Sequence, residues 1–173
     1  LTRQLLAFSR RQVLAPAVID LDRAIRESQR MLARLVGEDV RIELHPGGGV
    51  GRVRVDPDQL GNVLANLTVN ARDAMPSGGR ITIRTSEVEA DEGYAALSPD
   101  ARPGRWVVLT FSDDGHGMTP EVRAHLFEPF FTTKAPGTGT GLGLATVYGI
   151  VKQSGGFITV YSEPGAGMTF KLH

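Results

Sequence analysis

Apolar residues in "DPDQLGNVLANLTVNARDAM" recur at intervals of three and four, so that Leu60, Val63, Leu64, Leu67 and Ala71 fall on one side of a helix. Asp56 stands where an N-cap accepts free amides and Pro57 where a first turn tolerates proline, so the spacing predicts a helix that begins there. A second helical stripe, Ile25, Met31, Leu32 and Leu35, follows a short strand ending near Asp20, and Gly37 stops it. "TPEVRAHLF" predicts a short helix capped by Thr119, and "LATVYGIVKQSGG" a longer one closed by Gly155 and Gly156. Leu1, Leu5 and Phe8 in "LTRQLLAFSRRQ" suit the tail of another amphipathic helix, ended by Pro16. Alternation takes over elsewhere: "VRIEL" and "GRVRVD" read as edge strands. "GRITIRTSEV" and "RWVVLTFSD" are strands joined by an exposed connection around Asp91 to Pro103, and "FITVYSEPGAGMTFKLH" is a hairpin turning at Pro164 to Gly167. Such runs of helix and antiparallel strand predict an α+β layer sandwich rather than a doubly wound parallel sheet.

Composition narrows the classes of function. A chain of 173 residues holds one good hydrophobic core. Its 19 basic and 19 acidic residues cancel, which removes the broad attraction of a nucleic-acid binder or a basic membrane-surface protein, so any anion site is local. There is no cysteine, hence no disulfide framework and no thiolate zinc site. No signal peptide or membrane-length apolar run appears, and the start on Leu1 in mid-helix pattern reads as a fragment of something longer.

Three stretches carry candidate chemistry. In "APGTGTGLGLATVYG" glycine occupies positions 137, 139, 141 and 143 and then gives way to a helix. Each glycine costs roughly 0.5 to 1 kcal/mol relative to alanine when ordered, so a compensating partner is expected. The unpaired amides and positive end of a helix N-terminus suit an anion such as phosphate, and a flexible surface loop is the alternative. The stretch is neither a dinucleotide fingerprint, since Leu144 stands where the third glycine is needed, nor a P-loop, since no Gly-Lys-Ser/Thr occurs. "SDDGHGM" follows a strand and sets a carboxylate at its end, where it could accept a hydrogen bond from an exocyclic amine of a base lying on Gly115 and Gly117; an ordinary Asp-Asp-Gly turn is the alternative. Asn66 and Asn70 lie one turn apart on a helix that otherwise buries leucine and valine. Their amide oxygens could ligate a hard cation together with phosphate, or could simply be satisfied residues at the edge of the core.

The order of these pieces resembles a known family. "NLTVNARDAM", "DDGHGM", "FEPFFTTK" and "GTGLGLATVYGIVKQSGG" are similar to the N, G1, F and G2 boxes of the ATP-binding domain (HATPase_c) of bacterial sensor histidine kinases. That domain belongs to the wider GHKL superfamily with DNA gyrase, MutL and the ninety-kilodalton heat-shock chaperone. The resemblance covers the chain from about Pro16 and implies the Bergerat fold: a two-layer α/β sandwich with a mixed, mostly antiparallel sheet covered by helices on one face. "LTRQLLAFSRRQ" resembles the end of the second dimerisation helix in kinases of the hybrid class, so residues 1–15 are expected to be that helix and a linker, and 16–173 the catalytic domain.

The resemblance also implies roles. Asp113 reads the adenine amine, Gly115, Gly117 and Met118 shape the base pocket, and Thr169 in "GMTF" lies close to the adenine. Asn70 holds magnesium on the triphosphate, with Asn66 lining the same site. Phe127 to Lys134 and the following glycines form a lid, in which Thr132, Thr133, Lys134, Gly139 and Thr140 face the phosphates. Gly141, Leu142, Gly143 and Leu144 supply backbone amides. Hydrolytic superfamily members carry glutamate as general base where Asn66 stands, so ATP is expected to be bound and hydrolysed slowly, with its γ-phosphate delivered elsewhere. Many relatives have lysine where this chain has Asp73, which transfers charge neutralisation to Lys134; Asn66 and Lys134 are thus the candidate catalytic residues. None of His45, His116, His125 and His173 is followed by Glu or Asp and all four read as solvated, so the acceptor histidine is expected on an absent dimerisation domain. The implied cofactors are ATP and Mg2+. The implied partners are that domain, dimeric in the longer protein, and a response-regulator receiver, with no nucleic acid, and a membrane only through further segments. The implied location is the cytoplasm. A gyrase-type ATPase and a non-catalytic nucleotide sensor remain the rival readings.

Overall fold

A computed structural model describes residues 15–95, 101–135 and 137–173. The amphipathic tail expected around Leu1, Leu5 and Phe8 lies outside them. In chain order the elements are β1 (Ala17–Ile19), α1 (Leu21–Val36), β2 (Val40–His45), β3 (Val53–Val55), α2 (Pro57–Ala74), β4 (Gly79–Ala90), α3 (Glu92–Ala95), β5 (Gly104–Asp113), α4 (Pro120–Ala124), α5 (Gly143–Gln153), β6 (Ile158–Ser162) and β7 (Met168–Leu172).

Five strands form one sheet in the order β2-β4-β5-β7-β6. β2 runs parallel to β4, and every other neighbour is antiparallel. A separate antiparallel ribbon pairs β1 with β3. The mixed, mostly antiparallel sheet of the α+β expectation is therefore present.

Register explains why one face of this sheet is dry. Ile83 pairs with Phe111 and Phe111 with Phe170, while Val160 pairs with Phe170 on the far side. Because side chains alternate between faces with period two, this row and its neighbours Ile81, Leu109, Met168 and Leu172 point the same way. α1, α2 and α5 cover them, and Leu32, Leu64 and Val147 from the three helices are wholly buried there. Each large side chain removed from water contributes about 1.5 to 3 kcal/mol, enough to fix the register, since a slip of one residue would turn the whole row outward. The opposite face carries Arg84, Thr110, Ser112, Thr169 and Lys171.

Helix starts follow the predicted capping chemistry. Asp20 accepts the Arg23 amide, Asp56 accepts those of Asp58 and Gln59, and Thr119 accepts that of Val122. All five apolar positions read from the α2 stripe are buried. In α1 the buried set is Leu21, Asp22, Ile25, Leu32 and Val36, and Met31, expected on that face, is 40 % exposed because it lies off the line joining Leu32 to Val36. The exposed connection after β4 contains the one-turn helix α3, which the sequence reading did not anticipate.

Candidate functional site

α2 and α5 lie side by side, and the start of α5 meets the C-terminal half of α2. The contact point is Gly143. A Cβ there would lie 3.0 Å from Asn66 Oδ1 and 3.6 Å from Asn70 Nδ2, so the two asparagines face the first residue of the glycine-rich helix. Asn66 donates from Nδ2 to the Asn62 carbonyl at 2.9 Å, which leaves its Oδ1 directed at Gly143.

α5 begins differently from the other long helices. Its N-cap is Leu142, with φ −102° and ψ −19° and no side-chain hydrogen bond, whereas α1 and α2 are capped by aspartates. The first intrahelical bond runs from the Thr146 amide to the Leu142 carbonyl at 2.9 Å, so the turn containing Gly143, Leu144 and Ala145 lacks the cap that satisfies amides elsewhere. Leu144 packs against the core, whereas the Leu142 amide bonds Thr140 Oγ1 at 3.3 Å. Uncapped amides at the positive end of a helix form a site for an anion.

One turn beyond Asn70, Ala74 touches the loop that follows β5. The His116 amide donates to the Ala74 carbonyl at 3.1 Å, and a Cβ on Gly115 would lie 2.8 Å from both Ala74 Cβ and Asp113 Oδ1. Asp113 itself is 6 % exposed and accepts the Gly115 amide at 2.9 Å. Burial raises its carboxyl pKa above the ordinary value, against the lowering effect of the Gly115 and Met168 amides. A buried acceptor, two amide side chains and an uncapped helix start thus follow one another along a single edge of α2.

The lid segment returns to the same helix. Lys134 Nζ lies 2.5 Å from Asp73 Oδ2, while Arg72 holds the other carboxylate oxygen through Nε at 3.0 Å and Nη2 at 2.7 Å. Thr132 Oγ1 accepts the Lys134 amide at 3.2 Å, and Thr133 is exposed.

Around these residues the packing is specific. Thr169 pairs with Ser112 and shares a 2.9 Å hydroxyl contact with it on the outer face of the sheet, whereas Met168 is the residue opposite Asp113. Gly117 is glycine for a packing reason: at φ +66°, a Cβ would lie 2.0 Å from the Glu163 carbonyl oxygen, in the turn between β6 and β7. Met118 is anchored beside that turn, its amide donating to Ser162 Oγ at 2.9 Å. Gly141, at φ +65°, packs on the backbone of Phe130, and a Cβ on Gly139 would lie 2.6 Å from Thr132 Oγ1. Of the four alternate glycines, only Gly143 is cleared by the asparagines.

The histidines also differ among themselves. His45, His116 and His125 are exposed, but His173 stacks on the buried Phe157 ring at 4.1 Å and burial lowers its pKa. Among the described residues no group of three or more His, Cys, Asp and Glu could hold a metal unaided, and no helix is long and apolar enough to cross a membrane.

Residues 55–173 match the family described as histidine kinase-, DNA gyrase B- and HSP90-like ATPase. Over 172 residues, 99% of this chain and 18% of the relative, the sequence is 49% identical to the sensor kinase CckA of Brucella abortus. It is 34% identical to the sensor histidine kinase ZraS of Escherichia coli over 92% of this chain and 31% of that protein, so it spans less than a third of either relative. Among solved structures, the mycobacterial sensor histidine kinase MprB superposes with a TM-score of 0.70 at 26% identity, covering 91% of this chain and 95% of that one. Full-length ShkA in complex with AMPPNP gives 0.71 at 27% identity over 92% of this chain and 30% of that one.

Proposed function

The chain belongs to the histidine kinase-, DNA gyrase B- and HSP90-like ATPase family, and on that premise we propose that it is the catalytic domain of a two-component sensor histidine kinase, which binds Mg-ATP and passes the γ-phosphate to a histidine on a dimerisation domain. The observation that carries this reading is the uncapped start of α5 set against Asn66 and Asn70, with the buried Asp113 at the end of β5 close to Ala74, one turn beyond Asn70. ShkA, a structural neighbour, is seen in complex with an ATP analogue.

In this scheme Asp113 accepts the adenine amine beside Gly115, and the amides of Gly143, Leu144 and Ala145 take phosphate oxygens. Asn70, with Asn66 beside it, offers amide oxygens to magnesium. Those residues fit a hard cation that takes one or two protein ligands and completes its shell from phosphates and water. Bound there, magnesium would neutralise charge on the phosphates. Lys134 adds a cation from the lid. Asn66 has no basic atom, so water at the γ-phosphate is not activated by this side chain, and the phosphoryl group is kept for a protein acceptor. The partners of the longer protein are then its own dimerisation helices and a receiver domain, in the cytoplasm.

Joining this chain to its upstream dimerisation segment and supplying γ-labelled Mg-ATP tests the proposal. Acid-labile label on a histidine of that segment is expected. A nucleotide that binds without any label transfer would make the domain a sensor, and rapid steady-state phosphate release would make it a gyrase-type ATPase.

A further inference from the structure

Asp73 is a carboxylate in a site meant for a polyanion, and it sits in the last turn of α2, where the helix dipole is also negative. Neither circumstance favours it, so its role is to be sought in its partners. Arg72 bonds one of its oxygens through two nitrogens and uses the third, Nη1, to bond the Leu35 carbonyl at 2.9 Å, near the end of α1. The second oxygen takes Lys134. The carboxylate is therefore fixed from the scaffold side and presents its free edge to a lid residue. Two cations and one anion leave the trio with one net positive charge, and Asp73, which holds the Lys134 ammonium, is about one turn from Asn70 on α2. An ammonium has three N–H groups, and one bond to Asp73 leaves two for phosphate oxygens.

We propose that Asp73, held by Arg72, is a positioning residue that fixes the Lys134 ammonium on the Asn70 side of α2, so that the cation carried by the lid segment is in place before the phosphates arrive. This rests on the reading of the site as one for Mg-ATP. A flexible lysine otherwise loses rotamer freedom on fixing, and a preset partner removes part of that loss from the binding step. Burial raises the Asp73 pKa, but the Lys134 and Arg72 bonds outweigh it and the net shift is downward, so the carboxylate is ionised at neutral pH.

The test is a double-mutant cycle on Mg-ATP affinity, measured by calorimetry on this chain, with Lys134→Met, Asp73→Asn and the pair. Asp73→Asn alone is ambiguous, because removing a negative charge also eases phosphate entry; the cycle cancels that contribution. Lys134→Met is expected to weaken Mg-ATP at least tenfold in the parent chain and no more than threefold once Asp73 is Asn. Arg72→Gln is expected to act like Asp73→Asn in this cycle, and adenosine, which has no phosphate, is expected to bind equally to every variant. A Lys134 contribution that is unchanged or larger without Asp73 overturns the positioning role, as does an equal loss of adenosine binding. Failure of the parent chain to bind Mg-ATP at all would instead remove the functional reading on which this one rests.

Discussion

Replacing Asp113 with asparagine separates recognition from folding. The carboxylate is 6 % exposed, accepts the Gly115 amide at 2.9 Å, and has its pKa raised by burial against the lowering effect of the Gly115 and Met168 amides. Asparagine keeps the shape and one acceptor oxygen. It weakens the bond from the Gly115 amide by up to about 0.5 to 1.5 kcal/mol, and is relieved of the desolvation of a buried charge, an opposing effect of similar size. The folding free energy is thus expected to change by about 1 kcal/mol or less, a shift of roughly 2 to 4 °C in a chain of this size. Binding has no such compensation. A charge-assisted hydrogen bond to the adenine amine contributes about 1.5 to 3 kcal/mol, so Mg-ATP affinity should fall by about ten- to a hundredfold. The amide can donate to the guanine carbonyl, so the preference for Mg-ATP over Mg-GTP should shrink as well. Calorimetric titration with both nucleotides, run beside thermal melts of the nucleotide-free protein, reads the two effects separately. Intact adenine preference in the variant would refute the assignment, and a loss of binding matched by a melting point lower by ten degrees or more would reduce Asp113 to a structural role.

Acid should expose two carboxylates of opposite sign. Asp22, buried at the start of α1, is raised by burial, but bonds from Thr85 and the Gly49 and Gly48 amides give a net lowered pKa; its contribution to stability is complete above the unfolded value near 3.8 and is lost as pH falls through the folded one. Asp113, with its raised pKa, gives the reverse, favouring the folded state as pH falls from the folded value towards 3.8, so acid melts of Asp113→Asn should lack that favourable contribution. Over the same range Mg-ATP affinity of the parent chain should drop relative to Asp113→Asn. Gly61→Ala and Gly149→Ala, in helices with nothing within 4 Å of the added Cβ, should each raise stability by about 0.5 to 1 kcal/mol in denaturant melts. Gly117→Ala should lower it, because the new Cβ would strike the Glu163 carbonyl and φ is +66°. Asn66→Glu would supply a base and should increase phosphate release, by up to about a hundredfold, in a steady-state assay.

Much of this architecture was legible because local signals agreed with packing. The α2 stripe with Asp56 and Pro57 at its head was readable from residue type and spacing alone, and so was the hairpin turn between β6 and β7. Asn66 and Asn70 stood out as amides on a helix that otherwise buries leucine and valine and Asp113 as a carboxylate at a strand end, while the roles expected of them came only from the resemblance. What sequence could not give was which side of a strand faced the site: Met168 and Thr169 are adjacent, and only the pairing of Asp113 with Met168 decides between them. Nor could spacing tell glycines that clear a ligand from glycines that clear their own chain. Gly117 and Gly141 lie against backbone that is distant in sequence, a fact carried only by the fold. The Asp73–Lys134 pair spans 61 positions and left no periodic trace.

The central claim is that phosphate is held by the uncapped start of α5. Backbone amide resonances followed during a Mg-ATP titration test it directly. Saturable shifts at Gly143, Leu144 and Ala145, together with Gly115, are expected, while the aspartate-capped starts of α1 and α2 stay still. Shifts confined to the apolar cavity at the other end of the sheet, around Trp106 and Leu172, with α5 unmoved, would contradict it.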